Sequence, residues 1–385
     1  MTRDRLWVCL AGGMLVGGIA FAAKGPATCE DEDGRARAGS ELDEVDSYLL
    51  RAQVIVDRAL AYLQSQMNPD GSFRSSSVES KPTVAVAAMT ALAYMAAGYT
   101  ADDEMGRNFS TEIRRCIDWL MSQASQMEDF VDPDGVIRRK CYITDSEDNT
   151  SQMHGHGYAT WALATAYGMT FGQASEHRRQ RLLDIVQACV HGIERAQTES
   201  GGWGYRPDDS DHEGSVTVTQ IQALRAARDA GLAVDPGVIE RAIRYVRLSQ
   251  VDSGRLDGGF RYQLKSDKVH FALTAAAVAT LNQTGEYDSK SIDRGIEFML
   301  RNDPILSPSE DLFPWYARMY ATQAYFQYKT LRHFREYYPR LVEDLEHSQD
   351  RTGSFTDARY GNVYATASAA LTLCIPFTYL PSFQR

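Results

Sequence analysis

From residue 46 onward, two kinds of apolar run alternate along the chain. The first kind carries apolar residues at helical spacing with charges between them, as at Ile113, Ile117, Leu120 and Met121 in IRRCIDWLMSQASQ. A stripe of that width predicts a helix with one wet face. The second kind is nearly free of charge and rich in Ala and Thr, as from Val84 to Ala97 in TVAVAAMTALAYMAAG. A helix apolar on every side predicts burial on every side. Between the two comes a glycine-rich turn bearing an aromatic residue, as in AQTESGGWGYRP and LSQVDSGRLDGGFRY.

This unit recurs about six times with a period of roughly 50 to 70 residues, the signature of a repeat architecture. The glycine turns join helices ending near Gln66, Gln197, Gln250 and Gln349 to the following Ala-rich runs. The second unit carries a longer loop, DPDGVIRRKCY, before HGHGYATWALATAYG. The fifth, from IDRGIEFMLRNDPILSPSEDLFP to WYARMYATQAYFQY, is the weakest, and the sixth ends in VYATASAALTLCIPF. Six half-wet and six buried helices predict two concentric rings: an all-α (α/α)6 toroid of about six helix hairpins. Its closure requires the helix at residues 365–375 to touch the one at 84–97. Glycine supplies the positive φ that a short return needs. The aromatics Phe73, Trp203, Phe260 and Phe355 are expected to be structural staples between units. The glutamines are expected to bond backbone groups at the next helix end.

Composition narrows the functional classes. The chain has 385 residues and a net charge of −11, which argues against a nucleic-acid partner. Residues 1–23 read as a signal peptide: two arginines in MTRDR, a charge-free apolar run, and small residues at Ala20 and Ala22. The expected location is periplasmic or secreted, with membrane association if this N-terminus stays uncleaved. Residues 24–45 are acidic and free of aromatics, and are expected to be a flexible linker to the domain at 46–385. The six cysteines, Cys9, Cys29, Cys116, Cys141, Cys189 and Cys374, show no CxxC spacing. They leave room for a single disulfide and otherwise predict small core residues.

The glycine-turn units resemble the QW-type repeat of the terpenoid cyclase and protein prenyltransferase superfamily. The resemblance runs over residues 46–385 and is most specific in LSQVDSGRLDGGFRY and AQTESGGWGYRP. The wider order of motifs, from HGHGYATWALATAYGM through SVTVTQIQAL to VYATASAALTL and YLP, is similar to exported bacterial proteins with prenyltransferase/squalene-oxidase repeats, seen in planctomycetes. The resemblance implies an (α/α)6 barrel without implying a reaction.

In such a barrel the inner helices start after the glycine turns. Their N-termini gather at one mouth, where helix dipoles favour anions. The long loops at 128–152, 204–214 and 303–314 belong to that mouth. The loop RPDDSDHEGS places Asp208, Asp209, Asp211 and Glu213 just ahead of the third inner helix, as catalytic candidates, with Ser215 as its cap. Squalene-type cyclases carry a D-x-D-D acid at a similar place, but the order here is D-D-S-D. Protein prenyltransferases hold zinc through Asp, Cys and His. Here His270 lacks the D-x-C partner, and His154 and His156 do not share a helix face. No metal or cofactor is expected. The binding candidates are His154, His156, Tyr158, Trp161, His270, Trp315, Tyr316, Tyr320 and Tyr364, on or just before inner helices. An aromatic hollow accepts an isoprenoid or lipid-like molecule. Two alternatives stay open: a carbohydrate-active (α/α)6 barrel with paired carboxylates such as Asp209 and Glu213, and a non-catalytic scaffold.

Overall fold

A computed structural model describes residues 32–73, 83–101, 109–144, 151–169, 176–285, 289–304 and 313–384. The expected signal peptide and the first part of the expected linker lie outside these residues, as do residues 145–150 and 305–312 of the long loops. The compact unit is Glu44–Arg385.

Twelve α-helices alternate among the described residues. The half-wet ones are α1 (Glu32–Gln66), α3 (Ser110–Ser122), α5 (Glu176–Arg195), α7 (Pro236–Leu248), α9 (Lys290–Arg301) and α11 (Arg332–Ser348). The apolar ones are α2 (Thr83–Ala96), α4 (Gln152–Gly168), α6 (Gly214–Asp229), α8 (Phe271–Gln283), α10 (Pro314–Gln327) and α12 (Asn362–Leu373). Each apolar helix packs on those before and after it, and α12 packs on α2, so the inner ring closes as expected. The strands β1 (Glu128–Val131) and β2 (Ile137–Lys140) form an antiparallel hairpin in the long loop of the second unit. The segment expected as a linker is helical from Glu32 on, as the start of α1. Past Pro26 it has no proline, and its Ala, Arg, Glu and Leu favour a helix.

The glycine turns hold the ring together, each docking on the outer helix of the following unit. Gly201 sits at φ 90°, and a Cβ there would overlap the Arg241 carbonyl of α7. Gly258 meets Arg294 of α9 in the same way, and Gly71 meets Arg115 of α3. Gly353 meets Arg58 of α1, so the last unit grips the first. The glutamine amide closes each joint with two hydrogen bonds. Gln197 donates to Gly201 O and Val238 O at 2.9 Å each. Gln250 donates to Gly258 O and Ser291 O. Gln349 donates to Gly353 O and Ile55 O. Gln66 is the exception. It bonds Ser65, and Met67 takes the place opposite Phe73 that Gln250 takes opposite Phe260, because the first turn runs one residue out of step.

The staple aromatics are fixed from the inner ring. The backbone N–H groups of Trp203, Phe260 and Phe355 donate to the hydroxyls of Thr217, Thr274 and Thr366 at 3.0 to 3.1 Å. Trp203 Nε1 also donates to Ile193 O at 2.8 Å.

After α12 the chain turns back across the rim where the inner helices end. Leu380 and Phe383 are fully buried. The Ser382 carbonyl receives the side-chain amides of Gln323 and Gln327, at 3.2 and 3.1 Å, with Gln283 at 3.4 Å. The Phe383 ring meets Trp161 edge-on at 6.1 Å. Inner-helix glutamines would be costly in an apolar barrel without partners, and the tail carbonyl supplies one. This end of the barrel is therefore closed by the chain itself.

Trp203→Ala and Phe260→Ala are each expected to lower folding stability by about 3–5 kcal/mol, as for other buried aromatics. Denaturant midpoints measure this. Unchanged stability with lost ligand binding would instead assign these rings to a site.

Candidate functional site

A glycine in HGHGYATW lets two inner helices touch. A Cβ on Gly157 would sit 2.6 Å from Thr219 Cγ2 and 2.8 Å from Gln220 Nε2, so α4 and α6 approach backbone to side chain there. The Gln220 amide crosses to Met153 O at 2.8 Å. Gly155 faces Val84 of α2, where a Cβ would make ordinary contact at 3.5 Å. The close approach lays the first turn of α4 against that of α6. His154 Nε2 then lies 3.0 Å from Ser215 Oγ, and its Nδ1 bonds Ser151 Oγ.

The N-cap of α6 is Glu213, not Ser215. The Val216 N–H donates to Glu213 Oε2 at 3.0 Å, and Ser215 Oγ donates to the same oxygen at 2.5 Å. Glu213 is only 1% exposed. Its other oxygen, Oε1, is buried and takes no well-formed hydrogen bond, the Tyr262 phenol being a weaker neighbour of the carboxyl. Burial pushes the Glu213 carboxyl above its ordinary range, and the bonds from Ser215, Val216 and Tyr262 only partly offset it. The resting group is thus biased toward the protonated acid. Oε2 accepts two donors, which leaves Oε1 as the less satisfied oxygen.

Tyrosines surround this carboxyl. Tyr205 and Tyr262 share a hydroxyl–hydroxyl hydrogen bond, and the Tyr205 ring lies 6.0 Å from the His154 ring. The Tyr316 hydroxyl is buried without a partner and feels the Glu213 charge. Tyr316 packs on Tyr320 at 4.5 Å, and Tyr364 on Tyr360 at 5.1 Å. Burial pushes the Tyr158 phenol up to about 12, beside the hydroxyls of Tyr320 and Thr219. Deeper in the barrel, Tyr320 OH donates to Gln222 Oε1 at 2.9 Å, and the Gln222 amide donates to Gln323 Oε1. With Trp161 and Phe383, these groups fill the lower axis of the expected aromatic hollow. His154, Ser215, Tyr205, Tyr262, Tyr316, Tyr360 and Tyr364 are half-buried there.

The other candidates fall elsewhere. Asp208 and Asp211 are exposed, and Asp209 closes its own loop by accepting the Arg206 N–H at 2.8 Å. Of the four acids, only Glu213 reaches the mouth. His156, two residues from His154, points to the opposite side of α4 because two helical residues rotate the side chain by about 200°. There it accepts the Ile143 N–H at 3.1 Å and packs on Tyr142. Trp315 leans on the staple Phe355 at 5.5 Å instead of the axis. His270 is an exposed N-cap residue whose side chain makes no capping bond. Among the described residues no three His, Cys, Asp or Glu side chains are placed to hold a metal ion. Sequence reasoning missed Tyr205 and Tyr262 as site residues. The repeat did carry the signal, since each stands two residues after a staple aromatic, in GGWGY and GGFRY.

A profile of the family described as "Prenyltransferase alpha-alpha toroid domain" matches residues 40–135 and 139–303. Among solved structures, the chain is similar to a family 76 glycoside hydrolase from a bovine strain of Bacteroides thetaiotaomicron. The identity is 8% over 84% of this chain and 77% of that one, with a TM-score of 0.55. It is also similar to a variant of the type II terpene cyclase MstE from Scytonema in complex with geranylgeranyl dihydroxybenzoate, at 14% identity over 85% and 98%, TM-score 0.53. A glycosidase variant in complex with glucose has 12% identity over 86% and 98%, TM-score 0.53. At such identities the likeness is one of fold. A search of curated proteins finds no match to the sequence.

Two buried groups set a pH dependence. Raising a carboxyl's folded pKa stabilises the fold below the ordinary carboxylate range and loses that contribution as pH climbs through the raised value. Glu213→Gln is therefore expected to gain on the wild type steadily as pH rises from about 4.3. Burial lowers His156 from 6.5 to about 4. Its contribution is present above the ordinary value and lost as pH falls through that window. His156→Gln should flatten the acid limb there. Thermal midpoints of the three proteins between the two pH limits decide both.

Proposed function

We propose, for a chain that belongs to the prenyltransferase alpha-alpha toroid family, that the mouth of the barrel binds an isoprenoid or another apolar unsaturated small molecule and that Glu213 acts there as a general acid. The observation that carries this reading is a buried carboxyl whose burial favours the protonated form, with Oε1 lacking a well-formed hydrogen bond beside tyrosine rings. A proton donor for an apolar ligand must keep its proton while the site is dry, and burial does that. Once the proton leaves, the carboxylate must be held, and the Ser215 hydroxyl and Val216 N–H already point at Oε2. The faces of Tyr316 and Tyr364 suit a developing positive charge on carbon. His154 donates Nε2–H to Ser215 Oγ while Ser215 donates to the acid, so it orients the hydroxyl.

The terpene cyclase neighbour carries an isoprenoid compound in its complex, which supports the ligand class. The glycosidase neighbours raise the carbohydrate alternative. Glycoside hydrolysis ordinarily uses two carboxyls about 5–9.5 Å apart across the bond. Among the described residues Glu213 is the buried carboxyl set among the mouth tyrosines; Asp303, buried on the 303–314 loop, takes the Tyr325 hydroxyl, and Asp208, Asp209 and Asp211 turn to solvent or their own loop. The tyrosine rings beside Glu213 favour the apolar ligand. In this reading the N-terminal 23 residues carry the export signal, and the toroid works in the periplasm or outside the cell.

Mass spectrometry of material that copurifies with the protein is expected to find a polyprenyl or similar apolar species. With a panel of isoprenoids, Glu213→Gln is expected to lose turnover by a factor on the order of 10²–10⁴ while still binding. The double variant Asp209→Asn with Asp211→Asn should keep both. Full turnover in the glutamine variant, or loss confined to the double variant, would move the acid to the exposed loop.

A further inference from the structure

In the second unit Ala124 and Ile143 pair where Gln250 and Phe260 pair in the fourth, so the glutamine-aromatic staple is missing, and its turn is replaced by the β1–β2 hairpin. That hairpin is pressed onto α5. The Cys141 N–H donates to Ala188 O at 3.1 Å, and Tyr142 OH donates to Gly192 O at 3.1 Å. His191 Nδ1 meets Arg139 O at 2.7 Å, and a Cβ on Gly192 would overlap the Cys141 carbonyl. This docking brings two sulfurs together in the interior. Cys141 Sγ lies 3.6 Å from Cys189 Sγ, with the residues 1% and 0% exposed.

We infer that Cys141 and Cys189 form a built disulfide site, oxidised by an external disulfide, which ties the hairpin to α5 where the glycine staple is missing. The sulfurs need to approach by about 1.5 Å to reach a bond length of about 2.05 Å. The backbone bond between Cys141 and Ala188, next to Cys189, already fixes the two chain segments side by side. The step balances. The Cys141 thiolate attacks the external disulfide, releasing one thiol and leaving a mixed disulfide. Cys189 gives up its proton and attacks the Cys141 sulfur, displacing the second thiol. Two protein thiols are oxidised and one disulfide is reduced to two thiols. The hydrogen bond with Cys189 lowers the Cys141 thiol and burial raises Cys189, and the step is written with Cys141 attacking first. Cys116 and Cys374 are buried without a sulfur neighbour in hydrogen-bond reach among the described residues.

The test uses the purified full chain, unfolded and refolded in reduced glutathione with glutathione disulfide. The product is denatured, alkylated without reduction and digested with trypsin. The expected result is a linked pair of peptides, residues 141–178 with 182–195, and alkylated Cys116 and Cys374. Adding a reductant should lower the thermal midpoint of the wild type and leave Cys141→Ser unmoved. Alkylation of both Cys141 and Cys189 in the unreduced protein, or either one joined instead to Cys29, Cys116 or Cys374, would overturn the assignment. The peptide map needs no variant, so a poorly folding serine mutant does not blur it. The outcome is also independent of whether the mouth binds an isoprenoid.

Discussion

Everything in this barrel depends on one close approach, that of a left-handed glycine laid on a helix carbonyl of the next unit. At Gly201, Gly258 and Gly353 no side chain fits, and the neighbouring glutamine spans the same joint with two hydrogen bonds. The contact sets the angle between units. Its last instance, Gly353 on Arg58 with Gln349 on Ile55, converts a stack of hairpins into a ring. A repeat that grips its neighbour in this way needs no long-range signal to close, only the right number of steps.

Closing the ring creates a second problem: an inner surface that must be filled or wetted. The C-terminal tail fills the lower half. Its Ser382 carbonyl meets the glutamine amides, and its Phe383 ring meets Trp161. Filling from one end leaves the other as the only part of the axis lined by half-buried groups among those described. At that same end the inner-helix N-termini concentrate unsatisfied N–H groups, and one of them is capped by Glu213. Site and fold thus share a residue. The carboxyl that completes α6 is also the acid placed among the tyrosines.

The chemistry at this mouth is a contest between burial and hydrogen bonding. Two donors to one carboxyl oxygen stabilise the anion; removal from water penalises it, and burial is the larger influence. Had the acid stood where Asp208 or Asp211 stands, in solvent, it would have no reason to hold its proton. The glycine at 157 matters for the same reason. Gly157 draws α4 and α6 close, and the same packing sets His154 against Ser215.

The ring of alternating half-wet and buried helices was legible in the chain, because amphipathic period and Ala-rich composition are local properties that burial merely reads out. The staples were legible for the same reason: glycine, glutamine and aromatic recur at related spacing, and only the first turn, with Met67 in place of Gln66, misled. The site was legible in part. Proximity in sequence put Asp208, Asp209, Asp211 and Glu213 into one loop, and nothing local distinguished them. The turn of the backbone into α6 sent one inward and the others outward. Likewise His154 and His156 look equivalent as letters and face opposite sides of one helix. The partnership of Tyr205 with Tyr262, of Gln327 with the tail, and of Cys141 with Cys189 joins residues from different turns, helices or chain ends. Such pairs are decided by the packing angle between units and the path of the tail, and those distances exist only once the ring is closed.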